Sequence, residues 1–114
     1  MFSTIAGPDP DPVPAVRAHV EATRCSSEIA SAKAAGLMAM LIQTPEHLAS
    51  TRVWYQSRIA GIDLSTQEGR RARLAFLAAE GAFMLRFFGL MEIAADEWEG
   101  IFQDIKTQVL QDPA

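Results

Sequence analysis

Few side chains in this 114-residue chain are suited to acid–base, nucleophilic or metal chemistry. The two histidines, His19 and His47, fall in different predicted helices, and no pattern of serine, cysteine or carboxylate residues around them predicts a catalytic group. His19 and Glu21 do not have the spacing of about three or four residues that places two metal ligands on one helix face. Cys25 is the single cysteine, which excludes an internal disulfide and a cysteine-rich zinc site. We therefore predict no catalytic residue, no metal site and no cofactor, and a protein that is not an enzyme.

The composition predicts one packed acidic domain. Hydrophobic residues make up 49% of the chain and charged residues 21%, and domains run to about 100–200 residues. The net charge is −4 and the pI is near 5.0, which argues against phosphate contacts made by this chain itself. There is no secretory signal and no uncharged apolar stretch of about 18 residues. We expect a cytoplasmic protein that does not enter a membrane.

The elements that position any binding site are predicted to be helices alone, because alanine is abundant and β-branched residues rarely cluster. Alternating prolines up to Pro14 predict an extended connector. We therefore divide the chain into a connector remnant, residues 1–14, and a helical ligand-binding and dimerisation domain, residues 15–114. The helices are predicted over residues 12–24, 27–43, 45–60, 66–88 and 94–110.

Capping residues mark several of these helix ends. Asp11 and Thr44 are predicted N-caps, each followed by a proline at the first helical position. Ser65 and Glu68 have the spacing of a capping box at the start of the fourth helix, and Gly89 is predicted to end that helix.

The fourth predicted helix is apolar nearly all round, which predicts burial on several sides. Its small face, from Ala72 to Ala82, allows another helix to approach closely. Because one small domain has a limited interior, we predict that this helix packs partly against a second chain. The fourth and fifth helices are joined by a short connector and are predicted to form an antiparallel hairpin. Two such hairpins would make a four-helix interface in a homodimer. The alternative is that both faces pack inside a monomeric bundle. The predicted interface residues are Arg71, Ala75, Ala78, Ala79, Ala82, Arg86, Trp98, Phe102 and Ile105.

Charged residues support the antiparallel orientation of this hairpin. An arginine cluster at the start of the fourth helix, residues 70–73, would lie near Asp104 and Asp112. Arg86, at the other end, would lie near Glu92 and Asp96. Each exposed pair contributes only about 0–1 kcal/mol, so these pairs indicate orientation more than stability.

The segment from Arg71 to Leu90, RARLAFLAAEGAFMLRFFGL, resembles the penultimate helix of TetR-family transcriptional regulators. Many members carry an R-L-A-x-x-A-x-(D/E)-G run that ends in Gly-Leu before the last helix. The Thr-Pro-Glu-His restart at residues 44–47 and the apolar stripe of the final helix fit the same family. The resemblance spans about residues 7–110. It implies an all-α bundle of five roughly orthogonal helices, the C-terminal domain of a homodimeric repressor.

The resemblance also implies how such a protein works. Members bind an inducer in the C-terminal domain and operator DNA through an N-terminal helix-turn-helix domain. That domain is missing from this sequence, so DNA would be bound only through a segment outside it. We expect an inducer-sensing and homodimerisation domain of a TetR-like repressor. The alternative is a ligand-free helical dimerisation or interaction module.

An inducer domain implies a cavity among the second, third and fourth helices for an apolar or aromatic small molecule. Glu80 would be the polar group within an aromatic wall. It would either contact the ligand or pair with Arg52 or Arg58 as a structural group, because a buried carboxylate is costly without a partner. The predicted ligand-binding residues are Met38, Leu41, Trp54, Tyr55, Arg58, Phe76, Glu80, Phe83 and Phe87.

Overall fold

A computed structural model describes residues 11–112, and the secondary structure of this part is entirely helical. The α-helices are α1 (Val13–Cys25), α2 (Glu28–Leu41), α3 (Pro45–Ile59), α4 (Gln67–Phe87) and α5 (Ala95–Asp104). The last of these continues into a π-helical turn, Ile105–Val109. The prediction of an all-α fold is confirmed. Residues 1–10 of the predicted connector remnant lie outside the described residues, and the helices within the described part are too short or too polar to cross a membrane.

The N-cap of α4 lies one residue later than the predicted capping box places it. Thr66 is the N-cap, and its hydroxyl accepts a hydrogen bond from the Gly69 amide at 3.0 Å. Ser65 instead donates its amide and its hydroxyl to Asp63 Oδ1, at 3.0 and 2.6 Å. The assignment of Ser65 and Glu68 as a capping box is therefore wrong, because the aspartate turn takes up Ser65.

Other predicted helix ends are close to those observed. Gly89 follows the end of α4 with a φ of +75°, a conformation that glycine adopts without strain. Thr44 occupies the N-cap position of α3. The first helix has Pro12 as its N-cap, one residue later than predicted, and Asp11 Oδ1 accepts from the Val13 amide at 3.0 Å.

The centre of the core is the seam between α1 and the small face of α4. Val13, Val16 and Val20 of α1 are buried in one cluster with Ala72, Ala75 and Ala79, which are each 0% exposed. Small side chains on α4 allow the two helices to lie close together. The small face therefore receives a helix as predicted, but this helix is α1 of the same chain.

An aromatic group joins α5 to the rest of the bundle. Trp98 is 4% exposed, and its indole N–H donates to the Arg24 carbonyl at 3.2 Å. The Arg86 guanidinium lies 5.0 Å from the ring centroids of both Phe87 and Trp98. It also donates to a Glu28 carboxylate oxygen at 2.6 Å. These contacts hold α5 and the start of α2 against the end of α4.

The predicted ion pairs of the hairpin are wrong. Arg86 pairs with Glu28 of α2, and the Asp112 carboxylate pairs with Arg17 of α1. At the start of α4, Arg70 donates to the Leu64 carbonyl and Arg71 to the side chain of Gln67. Arg86 and Asp112 therefore have their partners on α2 and α1, and both of these helices pack against α4.

Candidate functional site

An open cavity of about 410 Å³ is lined by side chains of α1, α2, α3 and α4. This volume lies within the range of about 300–1,000 Å³ typical of small-molecule sites. Most of the wall is apolar, with a few polar groups. The lining residues are His19, Ala22, Thr23, Ser26, Ser31, Ala34, Leu37, Met38, Leu41, Thr51, Trp54, Tyr55, Glu80 and Phe83.

The polar centre of the wall is the carboxylate of Glu80. His19 Nε2 of α1 lies 2.5 Å from Glu80 Oε1. The Tyr55 hydroxyl of α3 donates to Glu80 Oε2 at 2.7 Å. Both carboxylate oxygens are therefore paired, and the cost of placing Glu80 in an apolar environment is offset. Three helices meet at this one side chain.

Burial raises the pKa of the Tyr55 phenol, and the hydrogen bond to Glu80 and the negative charge of Glu80 raise it further. A raised phenol pKa means that Tyr55 keeps its proton at and well above neutral pH. Tyr55 therefore donates a hydrogen bond to Glu80 over this whole pH range, and its oxygen keeps a lone pair that can accept another hydrogen bond.

Aromatic rings surround this cluster. The His19 ring centroid lies 5.0 Å from that of Phe76, and Trp54 meets Tyr55 edge to face at 4.9 Å. Trp54 is 44% exposed, and its ring centroid lies 4.8 Å from the guanidinium carbon of Arg58. The indole ring therefore lines the cavity and also lies beside the exposed guanidinium of Arg58.

The structure brings together six of the nine predicted ligand-binding residues. These six are Met38, Leu41, Trp54, Tyr55, Glu80 and Phe83. Arg58 and Phe76 instead line a neighbouring pocket of about 210 Å³, which shares His19 with the cavity. Phe87 packs in the core, 5.6 Å from the Trp98 ring. Of the two roles expected for Glu80, the pairing with Arg52 or Arg58 is wrong, since His19 and Tyr55 are its partners.

Sequence reasoning missed the contribution of α1 to this site. His19 directly precedes Val20 in the stripe that faces α4, and a titratable residue at the border of a buried stripe was the available signal. Ser31 was also missed. It is buried, and its hydroxyl has no hydrogen-bond partner within residues 11–112. Across the same range, no group of three or more His, Cys, Asp or Glu side chains is placed to hold a metal ion.

Six of the nine predicted dimer-interface residues lie inside a single chain. Ala75, Ala79, Ala82, Trp98, Phe102 and Ile105 are each at most 8% exposed. Arg71, Ala78 and Arg86 keep partial exposure. The six buried side chains all belong to the core cluster of the chain, so they offer little surface to a second copy.

The solvent-facing side of α4 is nevertheless apolar. Leu74, Leu77 and Leu85 are 57%, 54% and 38% exposed, and Gly81 lies between them on the same side of the helix. We call these four residues the α4 leucine stripe. Contiguous exposed apolar side chains of this kind are typical of interaction surfaces.

Comparison with known proteins agrees with the resemblance seen in the sequence. Residues 14–109 match the model of a family described as tetracyclin repressor-like, C-terminal domain. No match was found among curated proteins or among solved structures. The family match covers most of the chain, including every described residue that lines the cavity. The chain therefore belongs to the family of tetracyclin repressor-like C-terminal domains.

Proposed function

We propose that this chain is the inducer-sensing and homodimerisation domain of a cytoplasmic TetR-like repressor. In this proposal it controls DNA binding by a helix-turn-helix domain that is not part of the sequence. The observation that carries the proposal is the cavity of about 410 Å³ with one paired carboxylate in an otherwise mostly apolar wall. Membership of the family supports it, since members are domains of transcriptional regulators.

The cavity has the properties of an inducer site. Apolar side chains, including Leu37 and Leu41 of α2 and Phe83 of α4, supply surface that an apolar ligand can cover. Met38 has a flexible thioether that adapts to differently shaped ligands. Glu80 connects this surface to α1 through His19, so a ligand that contacts the carboxylate also affects the position of α1. We propose that this connection passes the binding event toward the N-terminal side of the chain.

An apolar or aromatic ligand is expected to raise the melting temperature of the protein. At a free ligand concentration of about one hundred times Kd, binding stabilises the folded state by about 2.7 kcal/mol, which corresponds to about 10 °C for a domain of this size. The measurement is a thermal-shift screen of a chemically broad library.

The control variants test whether the cavity is the binding site. Ala34→Phe places a ring in the cavity, whereas Ala32→Phe introduces the same ring on α2 away from the lining. The rise is expected to persist in Ala32→Phe and to vanish in Ala34→Phe. A screen in which no compound stabilises the unaltered protein would favour the alternative, a ligand-free interaction module.

We also propose that a second copy packs on the α4 leucine stripe. The Leu77→Glu substitution is expected to weaken dimerisation at least about a hundredfold, because carboxylates brought into an apolar interface cost several kcal/mol. Val53→Glu is the control, since Val53 is 66% exposed on α3, away from the stripe. Gel filtration with light scattering measures both variants. A monomer at micromolar concentration for the unaltered protein would contradict the proposed dimer.

A further inference from the structure

We propose that the ligand of the cavity is an organic cation, with a protonated amine that binds Glu80 and an apolar aromatic body. This inference rests on the proposed function, because it names the chemistry of the molecule that the cavity would sense. The hydrogen-bonding capacity, the charge and the aromatic rings of the wall support it independently.

The polar groups of the wall are mostly hydrogen-bond acceptors. The hydroxyls of Thr23, Ser26 and Thr51 each donate to the backbone carbonyl four residues earlier, at 2.8, 2.9 and 2.8 Å. The Tyr55 hydroxyl donates to Glu80. A hydroxyl whose proton is committed in this way presents only oxygen lone pairs to a ligand.

The remaining polar groups do not alter this balance. Ser31 has an uncommitted hydroxyl among the described residues, and His19 has a second ring nitrogen. Glu80 itself is an acceptor when ionised, and a carboxylate has about four lone-pair sites, of which two are occupied here. A ligand that donates hydrogen bonds therefore finds more partners than a ligand that accepts them.

The charge of the wall favours a cation. None of the described lining residues is lysine or arginine. The ionisable side chains of the wall are those of His19, Tyr55 and Glu80. An anionic ligand would face the Glu80 carboxylate, and His19, which is already paired with Glu80, is the one described lining side chain that can carry a positive charge. A protonated amine would make a charge-assisted hydrogen bond to the carboxylate, a bond roughly twice as strong as one between neutral groups.

The aromatic rings add a third argument. Trp54, Tyr55 and Phe83 all line the cavity, and the faces of such rings attract cations. Bicyclic aromatic amines combine the donor, the positive charge and the flat apolar body that this wall matches.

Three compounds with one indole body and different head groups test the inference. Tryptamine is a cation at neutral pH, tryptophol is neutral and indoleacetate is an anion. Isothermal titration calorimetry on the unaltered chain is expected to show that tryptamine binds at least about tenfold more tightly than tryptophol, the size of one charge-assisted hydrogen bond. Indoleacetate is expected to bind more weakly than both.

Two variants locate the source of this preference. Glu80→Gln keeps the size of the side chain and an acceptor for Tyr55, and it is expected to remove the preference for tryptamine while tryptophol still binds. Glu46→Gln removes the same charge from an exposed position of α3 outside the lining, and it is expected to leave the preference unchanged. Circular dichroism confirms that each variant is folded.

Two outcomes overturn the inference alone. They are equal affinity for tryptamine and tryptophol, and tightest binding of indoleacetate; in both, the cavity still binds a small molecule and the proposed function stands. Binding of none of the three also overturns the inference, and the thermal-shift screen then decides the proposed function separately. A preference for tryptamine that persists in Glu80→Gln would equally contradict the assigned role of Glu80.

Discussion

Replacing Phe102 with alanine is expected to lower the free energy of unfolding by about 3–5 kcal/mol, the cost of emptying a buried aromatic site. Phe102 is 2% exposed, and its ring centroid lies 4.6 Å from that of Trp98. Phe102 belongs to the same buried cluster as the core residues of α1 and α4, so the substitution leaves a cavity inside the packed core. Urea denaturation followed by circular dichroism measures the change.

The matched control for Phe102→Ala is Val53→Ala, at a side chain that is 66% exposed. Its effect is expected to stay within about 0.5 kcal/mol, as for most surface substitutions. Dilution of the protein distinguishes a core residue from a dimer contact. If Phe102 packs in the core of one chain, the loss in free energy of unfolding is the same at every protein concentration. A loss that disappears on dilution would show instead that Phe102 contacts a second copy, as first predicted.

Replacing Gly69 with alanine is expected to destabilise the protein by about 3 kcal/mol or more, because overpacking against a backbone atom has no side-chain relief. A Cβ atom at Gly69 would overlap the Asp63 carbonyl oxygen and would lie 3.0 Å from an Ile62 methyl carbon. Either the start of α4 or the turn before it must move. Thermal denaturation is the measurement, and the melting temperature is expected to fall by at least about 10 °C.

Gly36→Ala is the control for this prediction. Gly36 lies inside α2, and none of the described atoms beyond its chain neighbours and the adjacent backbone of α2 would come within 4 Å of its added Cβ. Alanine is there expected to stabilise the protein by up to about 1 kcal/mol, since glycine is a poor helix former. Equal effects of the two substitutions would show that the close approach at Gly69 does not limit stability.

Helices with clear local signals could be predicted from the sequence. The Thr44-Pro45 start, the Gly89 stop and the stripe of Trp98, Phe102 and Ile105 each depend on residues close together in the chain. The orientation of α4 could not be predicted in the same way. Both of its sides are apolar, and hydropathy alone does not show that the alanine side faces α1 while Leu74 and Leu77 face solvent.

The candidate site could be predicted only in part, because some of its contacts join residues that are distant in the sequence. The aromatic and methionine residues of α2, α3 and α4 could be assigned to a cavity once the family resemblance indicated one. The bond between His19 and Glu80 joins residues 61 positions apart, and that between Tyr55 and Glu80 spans 25. No local pattern encodes such pairs, because they depend on how three helices pack. The resemblance suggested a cavity without its α1 wall.

The different environments of the two tryptophans make the protein its own fluorescent reporter. Trp98 is enclosed in the aromatic group at α5, whereas Trp54 borders the cavity and is partly exposed. A protein that keeps only Trp98 would report global unfolding through a red shift of its emission. A protein that keeps only Trp54 would report occupancy of the cavity through quenching, while the fold stays intact. Loss of structure and binding of a small molecule are thus separable by light alone, without an attached dye.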